Sequence, residues 1–240
     1  MSSKSRRPLT KRSAYANLTA IKEFLKECHR HGITVDPEVY HYSFGEDPKK
    51  GTKSIQIPHE KMLLILDNIE ITKASDHRDY ALIAAIYYAC LTVSEALNLK
   101  TTDFINIKGS YYIKVITQSR SLRRECPDEL VKILLEYIDA LDLHGQGNMY
   151  LFPNSHGKSG QIYRTKIYQN SALWGMVNRR ARQANIDLKI SPSIIRSSGI
   201  TKKIQDTGNL EFVSKYLGHS NAGTTAVSYT HLTLPTTPYV

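Results

Sequence analysis

The chain has 240 residues, 41% hydrophobic and 22% charged, which suits a folded protein with a sizeable core and excludes wholesale disorder. Its longest apolar run, Tyr80 to Leu91, falls short of the roughly 18 to 20 residues a bilayer span needs, and MSSKSRRPLTKR lacks the apolar centre of a secretory signal. Three cysteines (Cys28, Cys90, Cys126) fit reduced thiols in a cytoplasmic protein, while 32 Lys plus Arg against 22 Asp plus Glu, a formal charge of +10, favours a polyanionic partner.

Residues 1–12 hold Lys4, Arg6, Arg7, Lys11 and Arg12 with no acid, a basic arm. Leu18, Ile21, Leu25 and Cys28 then recur at helical spacing before Gly32, which predicts an amphipathic helix over about 12–31 with a glycine stop. From Asp36 to Ile57 there is no period, and the prolines, glycines and lysines read as a linker with a domain boundary near residue 55. A helix is predicted from about His59 to Glu70. Asp76 is placed to cap the next one, whose body YALIAAIYYACL is apolar on every side and so must be buried. Ser94–Leu99 reads as a further short helix.

The period then changes. INIK and YYIKVIT flank Gly109-Ser110, a two-residue turn suited to a β-hairpin, and a third short strand is expected near Arg123 to Cys126. Pro127 suits the first position of a helix carrying Leu130, Ile133, Leu134, Tyr137 and Ile138. The loop HGQGN and a short strand MYLF come next, and the remainder is expected to be helical: about Thr165 to Ala184, Pro192 to Gln205 and Leu210 to Leu217. HGQGN lacks the G-x-G-x-x-G spacing of a dinucleotide site, and Cys28, His29 and His31 lack zinc spacing, so no cofactor and no metal are expected. The fold class is mainly α with a small antiparallel β-sheet.

Chemistry concentrates in ISPSIIRSSGITKKIQDTGNLEFVSKYLGHSNAGTTAVSYTH. Arg196 lies on a helix, His219 follows a Leu-Gly turn just before Ser220, and Tyr229 comes ten residues later. This set suits phosphodiester chemistry: a tyrosine oxygen attacks phosphorus, and arginine and histidine donate to the non-bridging oxygens as charge builds. The order of elements resembles the catalytic domain of the tyrosine recombinases (phage integrase family). HRDYALIAAIYYACLTVSEALNLKTTDF is similar to the family's first box; SPSIIRSSGIT and SKYLGHSNAGTTAVSY are similar to the second. The resemblance implies a partial helical core-binding-like region and linker over 1–54, a catalytic-type domain over 55–226, and cofactor-free transesterification on double-stranded DNA through a 3′-phosphotyrosyl bond. It leaves self-assembly on DNA, as a dimer or tetramer, open. The implied setting is a bacterial, phage or mobile-element cytoplasm.

Several positions depart from that pattern. Thr92 stands where the resemblance implies the first arginine, Ser119 or Arg120 where it implies a lysine, and Ser193 where it implies a histidine. Arg120 supplies charge, but a guanidinium that stays protonated is a poor general acid. Donors of this kind are commonly worth about 3 kcal/mol each, so losing several leaves little catalysis. Arg196 and His219 are retained. Tyr229 lies one residue further from His219 than the usual spacing, and VSYTHLTLPTTPYV resembles a translated sequencing adapter. Residues 227–240 are therefore expected to be a non-native tail, with the nucleophile either Tyr229 or a lost residue. Two readings follow: an integrase-type recombinase, or a catalytically inactive DNA-binding module of architectural or regulatory use. Candidate phosphate contacts are Arg6, Arg7, Lys11, Arg12, Arg179, Arg180, Arg182, Lys202 and Lys203. Of these, the five on 160–210 belong to a stretch with nine basic and two acidic residues.

Overall fold

A computed structural model describes residues 9–44, 56–116, 121–144, 148–156 and 161–219. The chain divides into two compact units, Met1–Lys53 and Ser54–Val240. In the first, Thr10 caps α1 (Lys11–Arg30) by accepting from the Ser13 N–H at 3.2 Å. Of the expected stripe, Leu18, Leu25 and Cys28 are half-buried while Ile21 is exposed, and no residue of α1 is buried. A short helix, α2 (Glu38–His41), interrupts the stretch read as linker; Asp36 Oδ1 accepts from the Glu38 N–H at 2.9 Å and starts it.

The second unit is built around α4 (Ala74–Tyr88). From Ala81 to Tyr87 every residue is at most 1% exposed, as the all-round apolar sequence requires. Around it pack α3 (His59–Asp67), α5 (Val93–Asn98), α6 (Asp128–Ala140) and α8 (Pro192–Thr207). The crossing of α4 with α8 is close because of Gly199: a Cβ there would lie 1.9 Å from the Tyr87 carbonyl oxygen. Beside it, Ser198 Oγ accepts from the Ile57 N–H at 2.7 Å and ties the start of the unit to α8. Asp76 caps α4 from inside rather than ahead of it. It is the third residue past the cap Lys73, and its carboxylate accepts from the N–H groups of Thr72 and Lys73.

Three antiparallel strands follow, β1 (Phe104–Ile107), β2 (Ser110–Ile116) and β3 (Ser121–Glu125), in the order β1-β2-β3. The β1–β2 turn is Lys108-Gly109, one residue earlier than expected, with φ of 52° and 91°. Two left-handed residues in succession give the hairpin turn whose twist matches its strands, and Asn106 Oδ1 accepts from the Gly109 N–H. Ile113 and Val115 point into the core, opposite Arg124 and Leu122 of β3.

Pro127 is the cap of α6 rather than its first residue. MYLF is not a strand: Tyr150 makes a single bridge to Lys100, while Leu151 and Phe152 are both fully buried. The strand is β4 (Pro153–His156), paired with β5 (Gln161–Ile167) in a second, two-stranded sheet. β5 overturns the expected helical start at Thr165. QIYRTKI is rich in β-branched and aromatic residues, and pairing with β4 decides its state. Helix α7 then runs Asn170–Gln183, and α9 covers Leu210–Leu217 as expected. No described helix is long and apolar enough to cross a membrane.

Candidate functional site

The site forms at the corner between α4 and α5. α4 ends at Tyr88, and Cys90 takes a left-handed conformation, φ 53°, which turns the chain toward Thr92. Thr92 is the cap of α5: its Oγ1 accepts from the Glu95 N–H at 3.2 Å, and its own N–H donates to Glu95 Oε2 at 2.7 Å. Its hydroxyl is thus engaged in starting a helix. Thr92 and Glu95 also line a cavity of about 970 Å³ with Lys100, Lys114 and Asn148.

Helix α8 brings Arg196 to this corner. Ser191 caps α8 and accepts from the Ile194 N–H at 3.1 Å, and Pro192 pre-sets the first turn. Arg196, half-buried, donates Nε to the Cys90 carbonyl at 2.9 Å. Its Nη groups have no protein partner among the described residues. A guanidinium seated by one edge with its other donors unused is ready for an anion. Ser193, in contrast, is exposed and hydrogen-bonded to Ser191 Oγ at 2.8 Å, so its hydroxyl belongs to the helix start.

The third contributor is the end of α9. Gly218 closes the helix with φ 76°, a conformation that suits glycine, and the His219 N–H donates back to the Ser214 carbonyl at 3.0 Å. His219, half-buried, follows at once. Arg196 and His219 lie on segments joined to the same corner through the carbonyls of Cys90, Tyr216 and Leu217. Arg120, Ser119, Tyr229, Ser220, Arg6 and Arg7 fall outside the described residues.

One residue that sequence reasoning passed over organises all three segments. Arg124 on β3 is 1% exposed. Its Nη groups make a two-pronged pair with Glu95, at 3.1 Å to Oε2 and 2.9 Å to Oε1. It also donates to the carbonyls of Ala89 and Cys90 at the end of α4, at 3.3 and 3.2 Å, and to those of Tyr216 and Leu217 at the end of α9, both at 3.2 Å. The signal was present in the alternation of β3. If Leu122 and Cys126 face inward, so does residue 124, and a buried arginine must have partners.

The surroundings are cationic. Burial pushes the Cys90 thiol up to about 11, against the opposing pull of Lys203, Arg124 and Arg196 nearby, so Cys90 stays a neutral thiol. Lys203 lies one heptad along α8 from Arg196, with Nζ 4.4 Å above the Tyr216 ring. Burial likewise holds the Tyr216 phenol well above its usual range, and its hydroxyl donates to the Glu125 carbonyl at 3.0 Å. Tyr216 thus lies with its ring against Lys203 and its hydroxyl on β3.

The remaining candidate phosphate contacts separate by burial. Arg180 is 5% exposed and donates to Asp76 at 2.5 Å and to Asp79 at 2.8 Å, which removes it from the set: its charge is neutralised inside the protein. Arg179 is exposed but tethered to Asp79 at 3.0 Å. Lys202 is paired with Asp206. Arg182 is exposed, and its Nε donates to the Asn178 carbonyl at 3.2 Å. Lys11 and Arg12 are exposed on the first turn of α1.

The phage integrase family model matches residues 56–234. The tyrosine recombinase XerD of Staphylococcus saprophyticus is 28% identical over 177 residues, covering 72% of this chain and 56% of that protein. That of Staphylococcus epidermidis is 26% identical over 178 residues, with the same coverage. The chain thus spans about half the length of these curated relatives. Among solved structures, the XerH site-specific recombinase bound to palindromic difH substrate, a post-cleavage complex, is similar with a TM-score of 0.64 and 22% identity, over 83% of this chain and 54% of that one. A lambda integrase (75-356) dimer bound to a COC′ core site is similar with a TM-score of 0.64 and 11% identity, over 91% and 73%. At these identities the structures speak for the fold. The chain belongs to the phage integrase family.

Proposed function

We propose that the chain is a DNA-binding protein of site-specific DNA integration and recombination, acting in the cytoplasm of a bacterium on duplex DNA and assembling on it with further copies. The observation that carries this is Arg196: its Nε is fixed on the Cys90 carbonyl, its Nη groups are unused among the described residues, and the His219 segment joins the same corner. In a phosphodiester reaction these two side chains hold the non-bridging oxygens as charge develops. A tyrosine oxygen attacks phosphorus and the 5′ oxygen departs with a proton; religation reverses both steps. Tyr229 is the candidate nucleophile and Arg120 a candidate partner of the leaving group. The relatives named above, and the XerH and lambda integrase complexes with DNA, support this reading.

A second reading, a catalytically inactive DNA-binding module, is favoured by one observation: the Thr92 hydroxyl is consumed in a helix cap. The two readings separate on nicked duplexes taken from DNA flanking the coding sequence, analysed on denaturing gels. A covalent protein–DNA adduct that disappears in Tyr229→Phe establishes strand cleavage by this chain. Binding that weakens steeply with salt but leaves no adduct establishes the module. Absence of any salt-dependent binding overturns both.

A further inference from the structure

The Arg124–Glu95 pair has a functional consequence beyond its place in the core. Glu95 Oε2 is touched by two groups at once, the Thr92 N–H at 2.7 Å and Arg124 Nη1 at 3.1 Å. Residue 92 therefore adjoins the same carboxylate that Arg124 holds from β3. The two approaches differ in what else they reach. Residue 92 lines the open cavity, whereas Arg124 is 1% exposed, and both Nη groups and Nε are engaged by Glu95 or by backbone carbonyls. Arg124 thus has no donor to offer a ligand. Its acceptors, however, are the chain segments that carry the site. It shares the Cys90 carbonyl with Arg196, at 3.2 Å against 2.9 Å, and it holds the Tyr216 and Leu217 carbonyls immediately before Gly218-His219. Leu122, two residues before Arg124, also bounds Gly218, where an added Cβ would meet its Cδ2 at 3.0 Å.

We infer that Arg124 is the positioning residue of the phosphate site: from β3 it holds the Glu95 carboxylate beside Thr92 and fixes the carbonyls that aim Arg196 and place His219, without itself touching DNA. This rests on the proposed function, since it takes the ligand of Arg196 to be a DNA phosphate. A planar guanidinium spans a carboxylate and flanking carbonyls simultaneously; an ammonium does not. The site thereby keeps a set geometry for one phosphate although Thr92 supplies no cation to it.

The test is a double-mutant cycle on binding to duplex DNA at low salt, with each variant's fold verified by circular dichroism at the binding temperature. In the wild-type background Arg196→Ala weakens binding by on the order of tenfold or more, as for the loss of a charged hydrogen bond. In the Arg124→Met background, where Arg196 is no longer aimed, the same change costs less than about threefold, a coupling that the cycle isolates. Should Arg124→Met fail to fold, the cycle is read in Arg124→Lys, which keeps the charge beside Glu95 but loses the fork; a reduced Arg196 effect is expected there too. A role confined to stability lowers the melting temperature and leaves the Arg196 effect in the folded protein unchanged, so equal Arg196 losses in both backgrounds overturn the inference while the function stands. Wild-type protein that binds no duplex in a salt-dependent manner overturns the function, and the inference with it.

Discussion

A methyl group added at Gly199 would sit 1.9 Å from the Tyr87 carbonyl oxygen and 2.9 Å from its carbon, and backbone does not yield as a flexible side chain does. Gly199→Ala must therefore force α8 away from α4, and overpacking of this kind costs about 1 to 3 kcal/mol. At Gly175 on α7 an added Cβ meets nothing within 4 Å, so Gly175→Ala brings only the gain in helix propensity, about 0.5 to 1 kcal/mol. The same substitution at two helical glycines is expected to shift the melting temperature in opposite directions, down by several degrees at 199 and up by a few at 175. Thermal unfolding followed by circular dichroism measures both. Equal shifts would mean that α4 and α8 do not approach as described. The sequence shows a glycine in SSGIT at the centre of a helix but not what it abuts, because the close approach is made by an element more than a hundred positions away. Arg124 was hidden for a related reason. As one of two consecutive arginines it reads as surface charge, and only the inward phase of β3 distinguishes it from exposed Arg123.

The helices that carry their own start or stop were the legible elements. Thr10, Ser191 and Asn209 cap α1, α8 and α9, and Gly208 and Gly218 close the last two in left-handed conformations. What joins the elements was not legible. α4 meets α7 through a buried charge cluster in which Asp79, fully buried, accepts from Arg78, Arg179 and Arg180, and Asp76 accepts from Arg180. Arg179 and Arg180, which read as a basic surface, are thus tied to carboxylates about a hundred residues upstream, the first from outside and the second from inside. The cluster has a pH signature. Burial by itself raises the Asp76 carboxyl, but the hydrogen bonds from Arg180 and Thr72 outweigh it and hold the group below its usual range. A carboxyl whose folded value is depressed contributes stability that is fully present above the unfolded value, near 4, and that is lost as pH falls through the folded value. Asp76→Asn removes this contribution along with charged hydrogen bonds worth about 1 to 3 kcal/mol in total. The variant is thus expected to melt several degrees lower at pH 7, with the gap to wild type narrowing as pH falls below the ordinary carboxylate range. A gap independent of pH would show that Asp76 carries no shifted proton affinity.

At the scale of the whole chain the net charge of +10 is a poor measure of what meets DNA, because charges such as Arg180, Arg124 and Lys202 are matched by carboxylates within the protein. Family and fold class were legible in short ordered boxes whose segments stay together in space, since those carrying Thr92, Arg196 and His219 meet at one corner; which cations are neutralised was not legible, because that is a three-dimensional property. Salt dependence of DNA affinity separates them, because each phosphate neutralised releases counterions and adds about 0.9 to the slope of log affinity against log salt. Deleting residues 1–8 removes Lys4, Arg6 and Arg7 and no acid. If the arm engages duplex phosphates, the slope falls by up to about 2.7. Residues 227–240 contain no Lys, Arg, Asp or Glu, so a chain ending at 226 is expected to keep the wild-type slope. Fluorescence anisotropy on one duplex across a salt series reads both variants against the full chain. An arm deletion that leaves the slope untouched would exclude residues 1–8 from the electrostatic footprint. A slope lowered by removing the uncharged tail would show that the tail, although it brings no charge, orders the residues that do.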